Sequence, residues 1–416
     1  MAERVAADVS VVGAGPAGIA AACGAAEAGR HVVLIDENVA PGGQIWRHRR
    51  APPAAARAWL ARLEAARPSV TRLRSATVFD VTDRTLHVDQ AGRALQVEAE
   101  TCILATGARE RFLPFPGWTL PGVMGIGAAQ ALVKSGASFG GRRALVAGSG
   151  PLLLPVAAAL ADDGAHVALV AEQAPFRAVS RFGLGLWRTP AKVRDAVRYR
   201  LRLGRAPYRT GTWVVEALGD TAVEGAVLAD GRRTWRERCD VLCCAYGLVP
   251  NTELAQLLGC ELAAGAVRVD EWQATSRAGV LAAGEPTGVA GLEQALVTGQ
   301  IAGLVASGRR EAARALFGAR SAGQAFVARL ERAFTLRAEL RALPRADTLV
   351  CRCEDVAYGR IEADWPRRVT KLRTRAGMGA CQGRVCGPAL EWLLGASPDS
   401  VRPPLVPVAI ALMEED

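Results

Sequence analysis

Histidine is scarce in this sequence, four residues in 416, and aromatic side chains make up only 5% of it. So few aromatics speak against a β-sandwich, while a hydrophobic half speaks against a disordered chain, leaving α/β layers as the expected class. His31 and His166 open equivalent strands and read as structural, and His48, after a glycine-rich loop, is the histidine worth testing. No acid–base pair suited to oxidising an amine stands out, so no residue is assigned as catalytic. The N-terminus lacks the basic start, apolar stretch and cleavage site of a secretory signal, which predicts a cytoplasmic protein with reduced thiols. The formal charge of +10 is spread along the chain, and its densest run, residues 194–205, has one Tyr and no RNA-binding signature. Nucleic acid is therefore not an expected partner; a solvated face or an acidic protein partner is. Residues 144–161 are apolar enough to raise a transmembrane span, but they contain Gly148-Ser149-Gly150-Pro151 and Pro155, and a strand–turn–helix is predicted.

What the sequence does have is glycine in pattern. "DVSVVGAG", "PAGIAAACGAAEAG" and "RHVVLIDE" form a strand, helix and strand in which Gly13, Gly15 and Gly18 complete G-x-G-x-x-G. The first glycine allows a tight turn, the second a close approach of backbone to pyrophosphate, and the third close packing of helix on strand. Asp36 ends the second strand, where a carboxylate can accept ribose hydroxyls. Residues 142–172 repeat the pattern with Gly148 and Gly150, but Leu153 replaces the third glycine and counting puts Ala171 where the acid belongs. A chain of 416 residues exceeds one core of ~250–300 residues, and the duplication predicts two nucleotide-binding domains. The stretch "FVARLERAFTLRAELRAL" reads as one helix stopped by Pro344.

The ten cysteines divide by context. Cys23, Cys102, Cys239, Cys243, Cys244 and Cys260 lie in or beside apolar elements and read as buried thiols. Cys351-x-Cys353 and Cys381-x4-Cys386 lie in polar, glycine-containing loops and supply four thiolates, enough for zinc or an iron–sulfur cluster. Neither pair has the C-x2-C spacing usual in structural zinc.

The segments "VVGAGPAGIAAA", "PGGQIWR", "CILATGARER" and "GVLAAGEPTGVAG" resemble the flavoproteins with two dinucleotide-binding domains, such as thioredoxin reductases. "DENVAPGGQIWR", "PFPGWTLPGVMGIGAAQALVKSG" and "CRCEDV" followed by "GMGACQGRVCGP" are similar to a subgroup, the α subunits of bacterial opine oxidases, hydrogen cyanide synthases and D-hydroxyproline dehydrogenases. The resemblance implies two Rossmann-like domains of glutathione/thioredoxin reductase type plus a small cysteine-rich α-helical iron–sulfur domain. The expected boundaries are 1–108 with 248–308 for FAD, 109–247 for a second nucleotide, 309–344 for a helical linker and 345–416 for the cluster. It implies that Gly13, Gly15 and Gly18 cradle FAD, that Asp36 with Glu37 holds its ribose, and that Gly42, Gly43 and Gln44 line the flavin side. Thr106 and Gly107 would form the crossover beside FAD, and Gly284 with Glu285 would meet the ribitol, in place of the usual Gly-Asp. A redox CxxC in the second domain is missing, which argues against disulfide reduction. The second fingerprint, Gly148 and Gly150, leaves NAD(P), ATP or no ligand open, and an FMN at a subunit interface is allowed. Cys351, Cys353, Cys381 and Cys386 would hold a 2Fe-2S cluster, with zinc or an empty site as alternatives. The implied function is the electron-transfer subunit of a heteromeric dehydrogenase or oxidase acting on a CH-NH bond of an amino acid, imino acid or opine. Its expected partners are a substrate-oxidising flavoprotein, the β subunit, together with a small ferredoxin-like γ subunit. The expected location is the cytoplasm, with a peripheral place on the inner membrane as the alternative, and no transmembrane segment is expected. The alternatives are a structural nucleotide-binding subunit or a stand-alone NAD(P)H-dependent flavin oxidoreductase.

Overall fold

Alternating apolar residues from Val9 to Val12, followed at once by glycine, make a central strand that must stop and turn, and the first unit is built around it. The computed structural model describes residues 2–47, 51–395 and 401–413; His48 lies outside the described residues. The chain divides into two compact units, residues 1–109 with 249–327 and 400–416, and residues 110–248 with 328–399. In the first unit the strands are β1 (Glu3–Val12), β2 (Val32–Asp36), β3 (Val70–Arg74), β4 (Ala76–Thr82), β5 (Thr85–Gln90) and β6 (Arg93–Leu104). The sheet order is β3-β2-β1-β6-β5-β4, with Val280–Ala282 added on β6. β1, β2, β3, β6 and the added strand run parallel, whereas β4, β5 and β6 form an antiparallel meander.

Helix α1 (Pro16–Ala26) crosses between β1 and β2 and lies against the later helix Leu292–Ala306. The small residues of that later helix have a steric cause: a Cβ on Gly299 or Gly303 would sit 2.2 Å from the carbonyl oxygen of Ala17 or Ala21. Ile19 and Cys23 of α1 are completely buried, and burying the Ile19 side chain contributes about 1.5–3 kcal/mol. The unit is finished by the far end of the chain, where the Leu405 N-H donates to the Phe79 carbonyl at 2.7 Å and Leu405 is buried in the same core as Val78 and Val88.

The second unit repeats the scheme. Five parallel strands stand in the order Tyr208–Thr210, His166–Glu172, Arg143–Gly148, Val241–Ala245 and Val123–Gly125. The helix Leu153–Asp162 connects the third of these to the second, so the apolar run 144–161 is the strand–turn–helix expected of it. No helix among the described residues is long and apolar enough to cross a membrane. A separate antiparallel sheet comprises Trp213–Leu218, Gly225–Ala229 and Thr234–Arg238.

The single helix expected up to Pro344 is interrupted. It runs over Phe317–Ala333 and is followed by a short turn at Ala338–Ala342. The break falls where the carbonyls of Phe334 and Thr335 leave the helix to accept bonds from Ser149 and Gln173. Beyond it, the strands Leu349–Cys351 and Val356–Ala357 and the helices Arg367–Thr374 and Cys386–Leu394 enclose a small core of Val350, Val356, Ala376 and Leu390. This part is fastened to the rest of the unit by Trp118 Nε1 donating to the Leu349 carbonyl at 2.6 Å and by a two-pronged Arg345–Glu216 pair at 2.9 and 3.2 Å.

Candidate functional site

At the first fingerprint each glycine answers a different contact. A Cβ on Gly13, which has φ +104°, would lie 2.3 Å from the Ala105 carbonyl oxygen, and one on Gly18 would lie 1.7 Å from that of Gly13. Gly15 faces open space and immediately precedes α1, so the helix N-terminus and its unpaired N-H groups are available to a phosphate. Asp36 ends β2 and is half-buried; its carboxylate accepts from the N-H of Ala14 and, at 2.7 Å, from that of Asn38. Glu37 is exposed beside it. The Gly42 N-H donates to the Ala14 carbonyl, and Gly43 packs so closely that a Cβ there would come within 3.0 Å of the Gly15 Cα. Gln44 follows on the surface of the same turn.

The crossover and the ribitol end are held by residues that sequence reading did not assign. Thr106 Oγ1 donates to the Asn251 carbonyl at 2.7 Å, Asn251 Nδ2 donates back to the Thr106 carbonyl at 2.8 Å, and the Asn251 N-H donates to the Gly107 carbonyl. Arg109 fixes the Asn251 side chain at 2.7 Å and pairs with Glu253. The signal was the "PNT" after a strand, too short to carry a role alone. Gly284, at φ +78°, leaves room for the Ala17 methyl, and its N-H donates to Thr298 Oγ1 at 2.9 Å. Glu285 follows it, and burial holds its carboxyl above the usual range. These contacts fit a bound FAD: an open cradle at Gly15, an acid at the ribose end and a desolvated carboxyl ready to accept a hydroxyl.

The second fingerprint differs. Gly148 and Gly150 are both at positive φ, but the acid is Glu172, not the Ala171 position reached by counting. Ala168 is bulged out of the pairing between Val167 and Leu169, so Glu172 rather than Ala171 faces Gly148 across the sheet. Its two oxygens accept from the N-H groups of Gly150 at 2.7 Å and Ala174 at 2.8 Å. It is completely buried, and burial pushes its pKa up to about 7 against those bonds.

The four loop cysteines line one cavity of about 480 Å³ together with Glu110, Phe112, Trp118 and Met124. Among the described residues no three of them are arranged as ligands of a single metal ion. They form two pairs instead, Cys353 with Cys381 and Cys351 with Cys386. Burial would raise the Cys381 thiol, but N-H groups of Val385, Gly383 and Arg384 and the Cys353 thiol outweigh it, and Cys381 stands below its ordinary value. The Cys381 N-H favours a thiolate at Cys353, yet partial burial and the neighbouring sulfurs leave that thiol raised. Burial pushes Cys386 up to about 12, with Cys351 adding and Arg367 opposing. Arg367 Nη1 is buried without a hydrogen-bond partner. A buried, unsatisfied cationic donor beside paired sulfurs suits an anionic centre. Gly379 is demanded by this packing, because a Cβ there would lie 2.3 Å from that of Cys353.

Glu110 on the cavity wall was also unforeseen. It accepts from the Gly127 N-H at 2.7 Å and from that of Ala128 at the N-terminus of the helix Ile126–Ser135. A Cβ on Gly125 would collide with its carboxylate at 2.2 Å, which explains the glycine there. The six other cysteines are buried, and burial raises their pKa values, to about 11 for Cys23 and Cys102 and about 12 for Cys239 and Cys243.

Comparison with known proteins gives three findings. Residues 7–303 match the family described as pyridine nucleotide-disulphide oxidoreductase. The chain is 37% identical to the hydrogen cyanide synthase subunit HcnB of Pseudomonas aeruginosa, over 90% of either chain, and 32% identical to an opine oxidase subunit from Agrobacterium tumefaciens, over 95% of this chain and 87% of that one. Among solved structures, L-proline dehydrogenase from P. horikoshii superposes with a TM-score of 0.70 at 19% identity, covering 100% of this chain and 81% of that one. T. acidophilum thioredoxin reductase follows at 0.58 and 21%, covering 73% and 98%; both likenesses concern the fold.

Proposed function

The chain belongs to the pyridine nucleotide-disulphide oxidoreductase family, within a flavin-dependent oxidoreductase group of opine oxidase and hydrogen cyanide synthase type, and from that premise we propose a finer role. It is the FAD- and 2Fe-2S-carrying electron-transfer subunit of a heteromeric enzyme that oxidises a CH-NH bond of an amino acid, imino acid or opine. Membership implies FAD binding, and relatives named as subunits imply partner chains. The observation that carries the reading is the gathering of two thiol pairs around one cavity beside the unsatisfied Arg367.

Gly13, Gly15, Gly18 and Asp36 would hold the FAD diphosphate and ribose, with Thr106, Gly107, Gly284 and Glu285 along the rest of the cofactor. Cys351, Cys353, Cys381 and Cys386 would hold the cluster, since a binuclear centre takes four thiolates and two pairs supply them. When bound, the flavin supplies two-electron chemistry and the cluster one-electron transfer. The protein's own contribution is to favour ionised sulfur at Cys381 through three N-H groups, to set a positive charge beside Cys386, and to line the cavity with the apolar faces of Phe112 and Trp118. The substrate pocket belongs to a β flavoprotein subunit, and the further partner is a small ferredoxin-like γ subunit. The complex lies in the cytoplasm, with a peripheral place on the inner membrane as the alternative.

Anaerobically purified chain should contain iron and acid-labile sulfide in equal amount alongside FAD. Cys381→Ser should lose the iron and its EPR signal while the flavin absorption persists. Stoichiometric zinc without iron in the wild type would overturn the relay, and rapid bleaching of the flavin by NADH alone would favour a stand-alone reductase.

A further inference from the structure

The second fingerprint keeps its glycines, yet its far end is filled by the chain itself. Ser149 Oγ donates to the Phe334 carbonyl at 3.0 Å. Gln173, next after the fingerprint acid, donates through Nε2 to Ser149 Oγ at 2.8 Å and to the Thr335 carbonyl at 3.1 Å. Its Oε1 accepts the Arg337 N-H at 3.1 Å, and the Arg337 guanidinium lies 3.6 Å from the centre of the Trp213 ring. Ser149, Glu172 and Gln173 are 8%, 0% and 1% exposed. In a doubly wound sheet the adenosine half of a dinucleotide lies over the carboxyl ends of the first two strands, with its ribose on the acid that ends the second. Those ends are the ones that residues 334–337 cover, through their bonds to Ser149 and Gln173.

We infer that residues 334–337 are a built-in occupant of the adenosine half of this site, so that the second unit takes neither a pyridine nucleotide nor ATP. Gly150 still faces open space, as Gly15 does, so a phosphate could approach the turn while a nucleoside could not be seated beyond it. A nucleoside would have to break the four bonds that Ser149 and Gln173 make with one another and with this segment. At roughly fivefold per bond, that lowers affinity on the order of several hundredfold. The inference rests on the closed crevice and is independent of the electron-transfer reading; it holds equally for a chain without a cluster.

Hydrogen–deuterium exchange on the full FAD-loaded chain tests it, with and without NADH, NADPH or ATP at ~1 mM. The expected result is no nucleotide-dependent change over residues 148–151, 173 and 334–337. Gln173→Ala, which removes the acceptor of the Arg337 N-H, should speed exchange at that amide at least about fivefold. Ser149→Ala is a milder second variant that keeps the backbone and the buried acid. Equimolar binding accompanied by faster exchange at 334–337, or by new protection over 148–151, overturns the inference, as does unprotected exchange at Arg337 in the wild type. Nucleotide binding that leaves both stretches unchanged supports it, since the ligand is then seated elsewhere.

Discussion

The two strand–turn–helix repeats begin alike and finish in opposite conditions. Gly13 and Gly148 make the same sharp turn, each so close to the next strand that a Cβ would meet the carbonyl oxygen of Ala105 or Ala245. In the first repeat Gly18 lets the helix begin at Pro16, directly after the turn, and Asp36 is only half-buried. In the second, Leu153 is fully buried, the helix begins only at Leu153, and the acid is completely buried next to Gln173, which is bonded to residues 335 and 337. The difference teaches that the first glycines suffice for the turn; on the proposed reading, it is the third glycine and the less buried acid that turn it into a binding site.

The largest effect should come from giving the first repeat the bulk of the second. Gly18→Val would put a side chain against the Gly13 carbonyl, and FAD content, read from flavin absorbance per chain, should fall to background. Retained flavin at full occupancy would break the comparison. Next is the sealed acid. Glu172 keeps its proton to about pH 7 when folded, against 4.5 otherwise. The native state therefore binds the extra proton between these values, and the stabilising contribution present below 4.5 is lost as pH rises through 7, by about 3 kcal/mol. Urea unfolding at pH 5 and pH 8 should show that loss in the wild type and a flatter profile in Glu172→Gln, which has no proton to release. The smallest effect belongs to Ser149→Ala, which should cost about 1 kcal/mol in unfolding free energy without altering flavin content.

Much of the architecture was legible because glycine and β-branched patterning encode it locally. The two repeats and the strand–turn–helix at 143–162 follow from residues near one another in sequence. Glu172 was misplaced by one position because the bulge at Ala168 changes register without changing composition. The break after Ala333 was invisible for a different reason: its cause is a pair of carbonyl bonds to residues more than 160 positions away. Asn251 and Glu110 were missed likewise, since each acts on backbone that the fold alone brings near. The four loop cysteines stood out as candidates by spacing, but their division into pairs, and Arg367 beside them, required the structure.

Leu405 has a consequence for the order in which the molecule can be made. It closes an edge of the first sheet through the Phe79 carbonyl, although almost everything else in that sheet is encoded before residue 283. During synthesis the core that holds Val78 and Val88 therefore waits for Leu405, its last buried member in chain order, while the second unit leaves the ribosome. The earliest part of the protein to emerge is among the last to be completed, and a chain cut short after the cysteine loops would lack the Leu405 contact permanently.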